Sequence, residues 1–107
     1  MEIKNKKLPC TLSKMAEAVI ADYPRRSIAL AANDISEATR KQYLQYNVAV
    51  DMAVDFLEPT LRDIMLDDVV NKRSYYKSSA SNIICRNAYY RRRDKMLYNV
   101  AVALKMT

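Results

Sequence analysis

Apolar residues return every three or four positions along most of this chain, the spacing of one face of an α-helix. Met15, Ala16, Val19 and Ile20 predict a short helix over about 14–22, with Thr11 and Ser13 as candidate N-caps and Pro24 ending it. Residues 25–33 are undecided between loop and a helical turn of Ile28, Ala29, Leu30 and Ala31. Asp34 and Glu37 form a D-x-x-E capping box. A long helix follows over about 35–57, with Tyr43, Tyr46, Val50, Ala53 and Leu57 on one face. Val48, Met52 and Phe56 form a second apolar line on its other side. A helix apolar on two sides is buried between neighbours, which are either elements of this chain or a second copy. Glu58-Pro59 breaks it, with Pro59 suited to a first helical position. A helix over about 60–71 then turns Leu61, Ile64, Met65 and Val69 inward and Asp63, Asp67 and Asp68 toward water.

Residues 72–78, Lys-Arg-Ser-Tyr-Tyr-Lys-Ser, read as a basic, aromatic connection. Ser78 or Ser79 caps a very short helix over about 79–84, with Ala80, Ile83 and Ile84 as its apolar side. Cys85-Arg86-Asn87 is a turn, and Asn87 can cap a last helix over about 87–105. At 100° per residue, Tyr90, Leu97, Ala101 and Leu104 form its core seam. The opposite arc holds Ala88, Arg91, Arg92, Lys95 and Asn99. Arg93 lies nearer the seam, so its stem packs and its head snorkels outward. Tyr89 and Met96 flank one side, and the closing Val-Ala-Val-Ala-Leu run is nearly all core. The organisation is thus an N-terminal basic tail and short helix over 1–33, and a helical domain over 34–107.

Composition narrows the chemistry. The 107 residues contain no glycine, where about seven are usual. Hairpins and phosphate loops depend on glycine for positive φ, so an all-α fold with short non-glycine turns follows, and Gly-rich nucleotide loops are excluded. Histidine is also absent, which removes the usual acid–base group, the Ser-His-Asp and Cys-His pairs, and any His-bearing metal site. Cys10 and Cys85 are too few for a disulfide framework and read as small packing residues in a reducing compartment. The methionines read as core fillers or chain ends rather than a cofactor box. The pairs Asp51/Asp55 and Asp63/Asp67 have a spacing that could hold a divalent ion, but an acidic solvent face explains them better. The chain reads as a non-enzyme with no metal and no cofactor. No apolar run approaches the roughly 20 residues of a membrane span, nor the core of a signal peptide, so a cytoplasmic protein with no membrane partner is expected.

Charge is unevenly placed. Residues 1–70 hold 9 Lys/Arg and 11 Asp/Glu, a net of −2, whereas residues 71–107 hold 9 Lys/Arg and one acid, Asp94, a net of +8. That asymmetry points to a polyanionic partner; the bland alternative is a solvated face. A short helix, a turn and a basic helix over about 78–105 have the pattern of a helix-turn-helix, whose second helix enters a DNA major groove. Arg can fork onto guanine, Asn can pair with adenine, and Ala can meet a thymine methyl. Asn87, Ala88, Arg91, Arg92 and Lys95 are therefore the base-facing candidates. Lys72, Arg73, Lys77, Arg86, Tyr89 and Arg93 are the phosphate-contact candidates, with Tyr75 and Tyr76 also offering hydroxyls. About 4–7 phosphate contacts imply a log–log salt slope of roughly −4 to −6.

Residues 82–104, NIICRNAYYRRRDKMLYNVAVAL, resemble the C-terminal signature of the ArpU/RinA-type phage late transcriptional regulators. Ile84, Arg86, Tyr89, Tyr90, Arg91, Arg93 and Lys95 carry the match, and Val50 to Val70 is similar to the part preceding it. Cys85 and Ala88 depart from the Ser and Thr usual there. The resemblance implies a small helical bundle with a helix-turn-helix like that of sigma-factor region 4. It also implies a DNA-binding regulator of phage late genes, acting in a bacterial host with RNA polymerase as a possible partner. The alternative from another class is a phage protein that inhibits or redirects a host protein, such as RNA polymerase or a defence nuclease. A third is a basic structural protein without sequence preference. A homodimer through Val48, Met52 and Phe56 is compatible with each.

Overall fold

The computed structural model describes residues 8–32 and 34–106. Its α-helices are α1 (Cys10–Ala21), α2 (Tyr23–Ala32), α3 (Glu37–Ala53), α4 (Pro59–Val70) and α5 (Arg86–Ala103). Two 3₁₀ turns, Tyr75–Lys77 and Ser79–Asn82, lie between α4 and α5. No strand is present among the described residues, and the fold is all-α. Most of the predicted N-terminal tail falls outside them. Helix α5 packs against α1 on one side and α3 on the other, while α1 also rests on α4 and α2 on α3. One core results. It unites Ala16 and Ile20 of α1, Val50 and Ala53 of α3, Leu61, Met65 and Val69 of α4, and Tyr89, Met96, Leu97 and Val100 of α5. Each fully buried Ile20, Met65 or Met96 side chain contributes about 1.5–3 kcal/mol.

Local chemistry moves several predicted boundaries. Helix α1 starts at Cys10, well before residue 14, and neither Thr11 nor Ser13 caps it; Pro9 precedes it without a side-chain cap. Leu8 packs on the core and anchors that first turn by tertiary contact. Pro24 does not simply end a helix. It sits in the first turn of α2, where its missing N–H costs nothing. The carboxylate of Asp22, just ahead of α2, bonds Arg25, which holds its pKa below the ordinary value. Asp34 does not cap α3. Ser36 is the last extended residue, and its Oγ accepts from the Thr39 N–H at 3.2 Å, so the helix begins at Glu37. Pro59 opens α4 as expected. Val48, Met52 and Phe56 are not buried within the chain but remain 51%, 66% and 40% exposed. Met15 is likewise exposed, and of the final Val-Ala-Val-Ala-Leu run Val102 and Ala103 face solvent. Cys10 and Cys85 are both exposed, not packed, because each sits at a helix N-terminus outside the core.

Two lysines take the place that glycine usually fills at helix ends. Lys72 and Lys105 have φ of 55° and 58°. Beyond α4, the Arg73 N–H reaches the Asp68 carbonyl at 2.7 Å and the Lys72 N–H reaches that of Val69 at 3.3 Å. Beyond α5, Met106 bonds Ala101 at 2.7 Å and Lys105 bonds Val102 at 3.0 Å. This is the Schellman pattern at both ends. A side chain in the left-handed region costs about 1–2 kcal/mol, so Lys105→Gly is expected to raise stability by about 1 kcal/mol. Chemical denaturation measures it, and a destabilised variant contradicts the reading.

Candidate nucleic-acid interface

The basic helix is positioned by a buried polar lock. Tyr89 is fully buried, and its hydroxyl donates to Asp68 Oδ2 at 2.7 Å. Asp68 is also fully buried, and its Oδ1 takes Arg73 Nη1 at 3.1 Å. Arg73 is held in addition by Asp67 at 2.6 Å. Arg93 Nη1 donates to the Tyr89 hydroxyl at 3.1 Å and to the Arg73 carbonyl at 3.3 Å, and its Nη2 lies 3.5 Å from Glu17. Helices α1, α4 and α5 and the connection after α4 thus share one network. Tyrosines extend it. The Tyr75 hydroxyl donates to the Ile84 carbonyl at 2.7 Å, its N–H donates to the Tyr90 hydroxyl at 3.3 Å, and its ring lies 5.3 Å from that of Tyr89. These bonds fold residues 71–85 against the start of α5.

Burial pushes the Tyr89 phenol up to about 12, and its bond to the Asp68 carboxylate adds to the rise. A phenol raised above its unfolded value of about 10 stabilises the fold fully below pH 10, and that contribution is lost as pH climbs toward 12. The expected loss is about 1.4 kcal/mol per pH unit in that window. Tyr23 shifts in the same direction through burial and its bond to Asp51, so the wild-type minus Tyr89→Phe difference isolates Tyr89. That difference is expected to shrink between pH 10 and 12; a constant gap contradicts it.

These contacts sort the predicted site residues. Tyr89 and Asp68 are corrections: Tyr89 cannot present its hydroxyl to phosphate, and Asp68 faces the core rather than water. Arg93 is a correction too. Its side chain is only 14% exposed and its head is drawn inward, because it lies at the middle of the buried arc of α5. That arc is wider than the predicted seam, since α5 is clasped by α1 and α3; Tyr89, Met96 and Val100 join Leu97 and Ala101, while Tyr90 and Leu104 are only partly buried. Arg73 keeps about a third of its side chain exposed but is ion-paired with both aspartates. Lys72 and Lys77 are exposed. Arg86 stays exposed with its guanidinium 5.3 Å from the Tyr90 ring centre and 6.0 Å from that of Tyr76.

The outward arc of α5 is where the sequence placed it. Asn87 and Arg91 are exposed, and Ala88, Arg92 and Lys95 are partly exposed. Arg92 Nη1 bonds the Ala88 carbonyl at 3.3 Å, which lays it along the helix. Lys95 Nζ stands 4.7 Å from the Phe56 ring centre, and Phe56, Arg91, Arg92 and Lys95 line one surface hollow. Asn99, counted with this arc, instead donates to the Ala53 carbonyl at the end of α3. The helix starts at Arg86 after Cys85, so Asn87 is not its cap. The helix predicted at 79–84 is a 3₁₀ turn of four residues, opened by the Ala80 N–H donating to Ser78 Oγ at 3.0 Å. Ser and Asn side chains compete for backbone groups and favour such turns over an α-helix.

The sequence reading missed Lys14. It lines a cleft of about 600 Å³ with Glu17, Lys72, Arg73, Tyr90 and Arg93, where α1 meets the connection after α4. Among the described residues no cluster of His, Cys, Asp or Glu is arranged to hold a metal, and no helix is long and apolar enough to cross a membrane. Comparisons with protein-family models, curated proteins and solved structures find no match to this chain.

Proposed function

We propose that this protein binds duplex DNA through the outward face of α5 and regulates transcription, as the resemblance of residues 82–104 to phage late regulators implies. The observation that carries the reading is the makeup of that face. From Asn87 to Lys95 it offers an amide, a small alanine and three cations, with the carboxylate of Asp94 at its edge beside Asn87, on a helix whose opposite side is buried. A major groove about 12 Å wide admits such a helix, and those side-chain types are the ones that read base edges. Lys72, Lys77 and Arg86 flank it as phosphate contacts. With Tyr89 and Arg93 withdrawn and Arg73 ion-paired, about three to five phosphate contacts remain, and the log–log salt slope becomes roughly −3 to −5. The sigma-region-4-like part of the proposal rests on α5, since a 3₁₀ turn stands in place of the first helix. Bacterial cytoplasm is the compartment this reading requires.

Selection from random duplexes tests it. Enrichment of a common sequence, bound with that salt slope, is expected. Equal binding of all duplexes supports a basic structural protein instead. Host proteins that stay bound in a nuclease-treated pull-down, with no duplex enriched, support the inhibitor reading.

A further inference from the structure

The turn that joins α3 to α4 brings an aromatic ring to the outward face of α5. Val54 and Leu57 are buried on either side of Phe56, which stays 40% exposed. One guanidinium fixes this turn: Arg62 donates to the carbonyls of Val54 at 3.3 Å, Asp55 at 3.5 Å and Leu57 at 2.9 Å. The Asn99 side chain, bonded to the Ala53 carbonyl at 3.1 Å, ties the end of α3 to α5. The turn is thus anchored on both sides, and it presents the ring beside α5 instead of in the core. Phe56 shares a hollow of about 420 Å³ with Arg91, Arg92 and Lys95, and Lys95 Nζ stands 4.7 Å from the ring centre. Asp55 and Glu58 are near neighbours of Phe56 in sequence, but neither lines the hollow, and Asp55 lies 3.9 Å from Arg62.

An apolar ring among three cations suits a polyanion that carries an apolar group on its readable edge. Thymine alone of the four bases adds a methyl group to the donors and acceptors of the major groove, and phenylalanine is one of the side chains that meets it. A ring already held in place also loses little freedom on binding. We propose that Phe56 is a specificity-determining residue of the DNA-reading face, packing on the C5 methyl of a thymine beside the bases approached by Arg91, Arg92 and Lys95. This rests on the DNA reading proposed above. Ala88, the other apolar group on that face, lies one turn before Arg92 and outside the hollow, so mutation tells the two contacts apart.

Replacing each thymine of a selected duplex in turn by deoxyuridine tests the assignment. Each replacement removes one methyl and leaves every hydrogen-bonding group. With the full-length wild type, one replacement is expected to weaken binding about fourfold, the worth of one buried methyl. In Phe56→Ala the intact duplex is expected to bind about fourfold more weakly, and the same replacement to change affinity by less than about 1.5-fold, because the methyl has lost its partner. Phe56→Leu keeps an apolar surface and is expected to retain a step of about twofold or more. Phe56 is part-exposed and outside the core cluster, so both variants are expected to fold, which thermal unfolding verifies. A selected sequence that tolerates uracil at every position overturns the proposal while the DNA reading stands. A step that persists in Phe56→Ala overturns it too and assigns the methyl to Ala88. An even loss across all duplexes in that variant, with the step unchanged, reduces the ring to a prop for Lys95. If no sequence is enriched at all, the DNA reading itself fails and takes this inference with it.

Discussion

Asp68→Ala is expected to lower the free energy of unfolding by about 3 kcal/mol, a large part of the roughly 5–15 kcal/mol available to a domain of this size. The carboxylate is fully buried and accepts the Tyr89 hydroxyl while facing Arg73. Its removal leaves the Tyr89 proton without an acceptor in a dry site and opens a small cavity. The cost stays below the largest values seen for broken buried ion pairs. Arg73 is part-exposed and keeps Asp67, and the Tyr89 oxygen keeps the Arg93 donor. Asp68→Asn retains an acceptor and is expected to cost about 1–2 kcal/mol. Urea denaturation followed by circular dichroism ranks the two. Equal and near-zero losses would show that the lock does not hold α5 in place.

Charge and burial part company at Asp68. Asp68 follows Leu61 and Met65 at seven and three positions, so it falls on the buried stripe of α4, yet its charge made water the expected side. The spacing places Tyr89 on the flank of a narrow seam, whereas α5 is gripped by two helices and buries a wider arc. Arg26 repeats the lesson at α2. It is 2% exposed, with its Nε donating to Asn47 Oδ1 at 2.7 Å and a further bond to the Val19 carbonyl. Periodicity sees apolar side chains; it has no means to anticipate a polar group buried with its partner from another helix. What periodicity and proline chemistry do specify emerged well. The face of α3 bearing Val50 and Ala53 is the buried one, though the helix stops at Ala53 and Leu57 is buried from the turn beyond it; α4 runs from Pro59 to Val70, and the cationic arc of α5 lies opposite its core. Caps are less legible: Ser36 lies two residues from Asp34, an equally good capping type, and takes the role with its Oγ, while Cys85 precedes α5 with no side-chain cap at all.

Arg91→Ala and Arg92→Ala are each expected to cost about 1–3 kcal/mol of affinity for a selected duplex, about 10- to 100-fold, and to relax the preference at one base pair. Lys72→Ala and Lys77→Ala are expected to weaken all duplexes evenly and to reduce the salt slope by about one unit each. The contrast separates reading from mere attraction. Both arginines sit on the outer side of α5, away from the Asp68–Tyr89 lock, so stability should change by less than about 0.5 kcal/mol and the binding losses cannot be attributed to unfolding. Fluorescence anisotropy with matched and base-substituted duplexes measures both quantities. Uniform losses for all four variants would reduce α5 to one more cationic patch.

A backbone amide NMR titration with a selected duplex addresses the role of α5 most directly. The largest shifts are expected along Asn87 to Lys95, with smaller ones at Lys72, Lys77 and Arg86 and none on the exposed apolar side of α3. Shifts that gather on Leu44, Val48 and Met52, or a spectrum that the duplex leaves unchanged, would contradict the assignment of that helix to DNA.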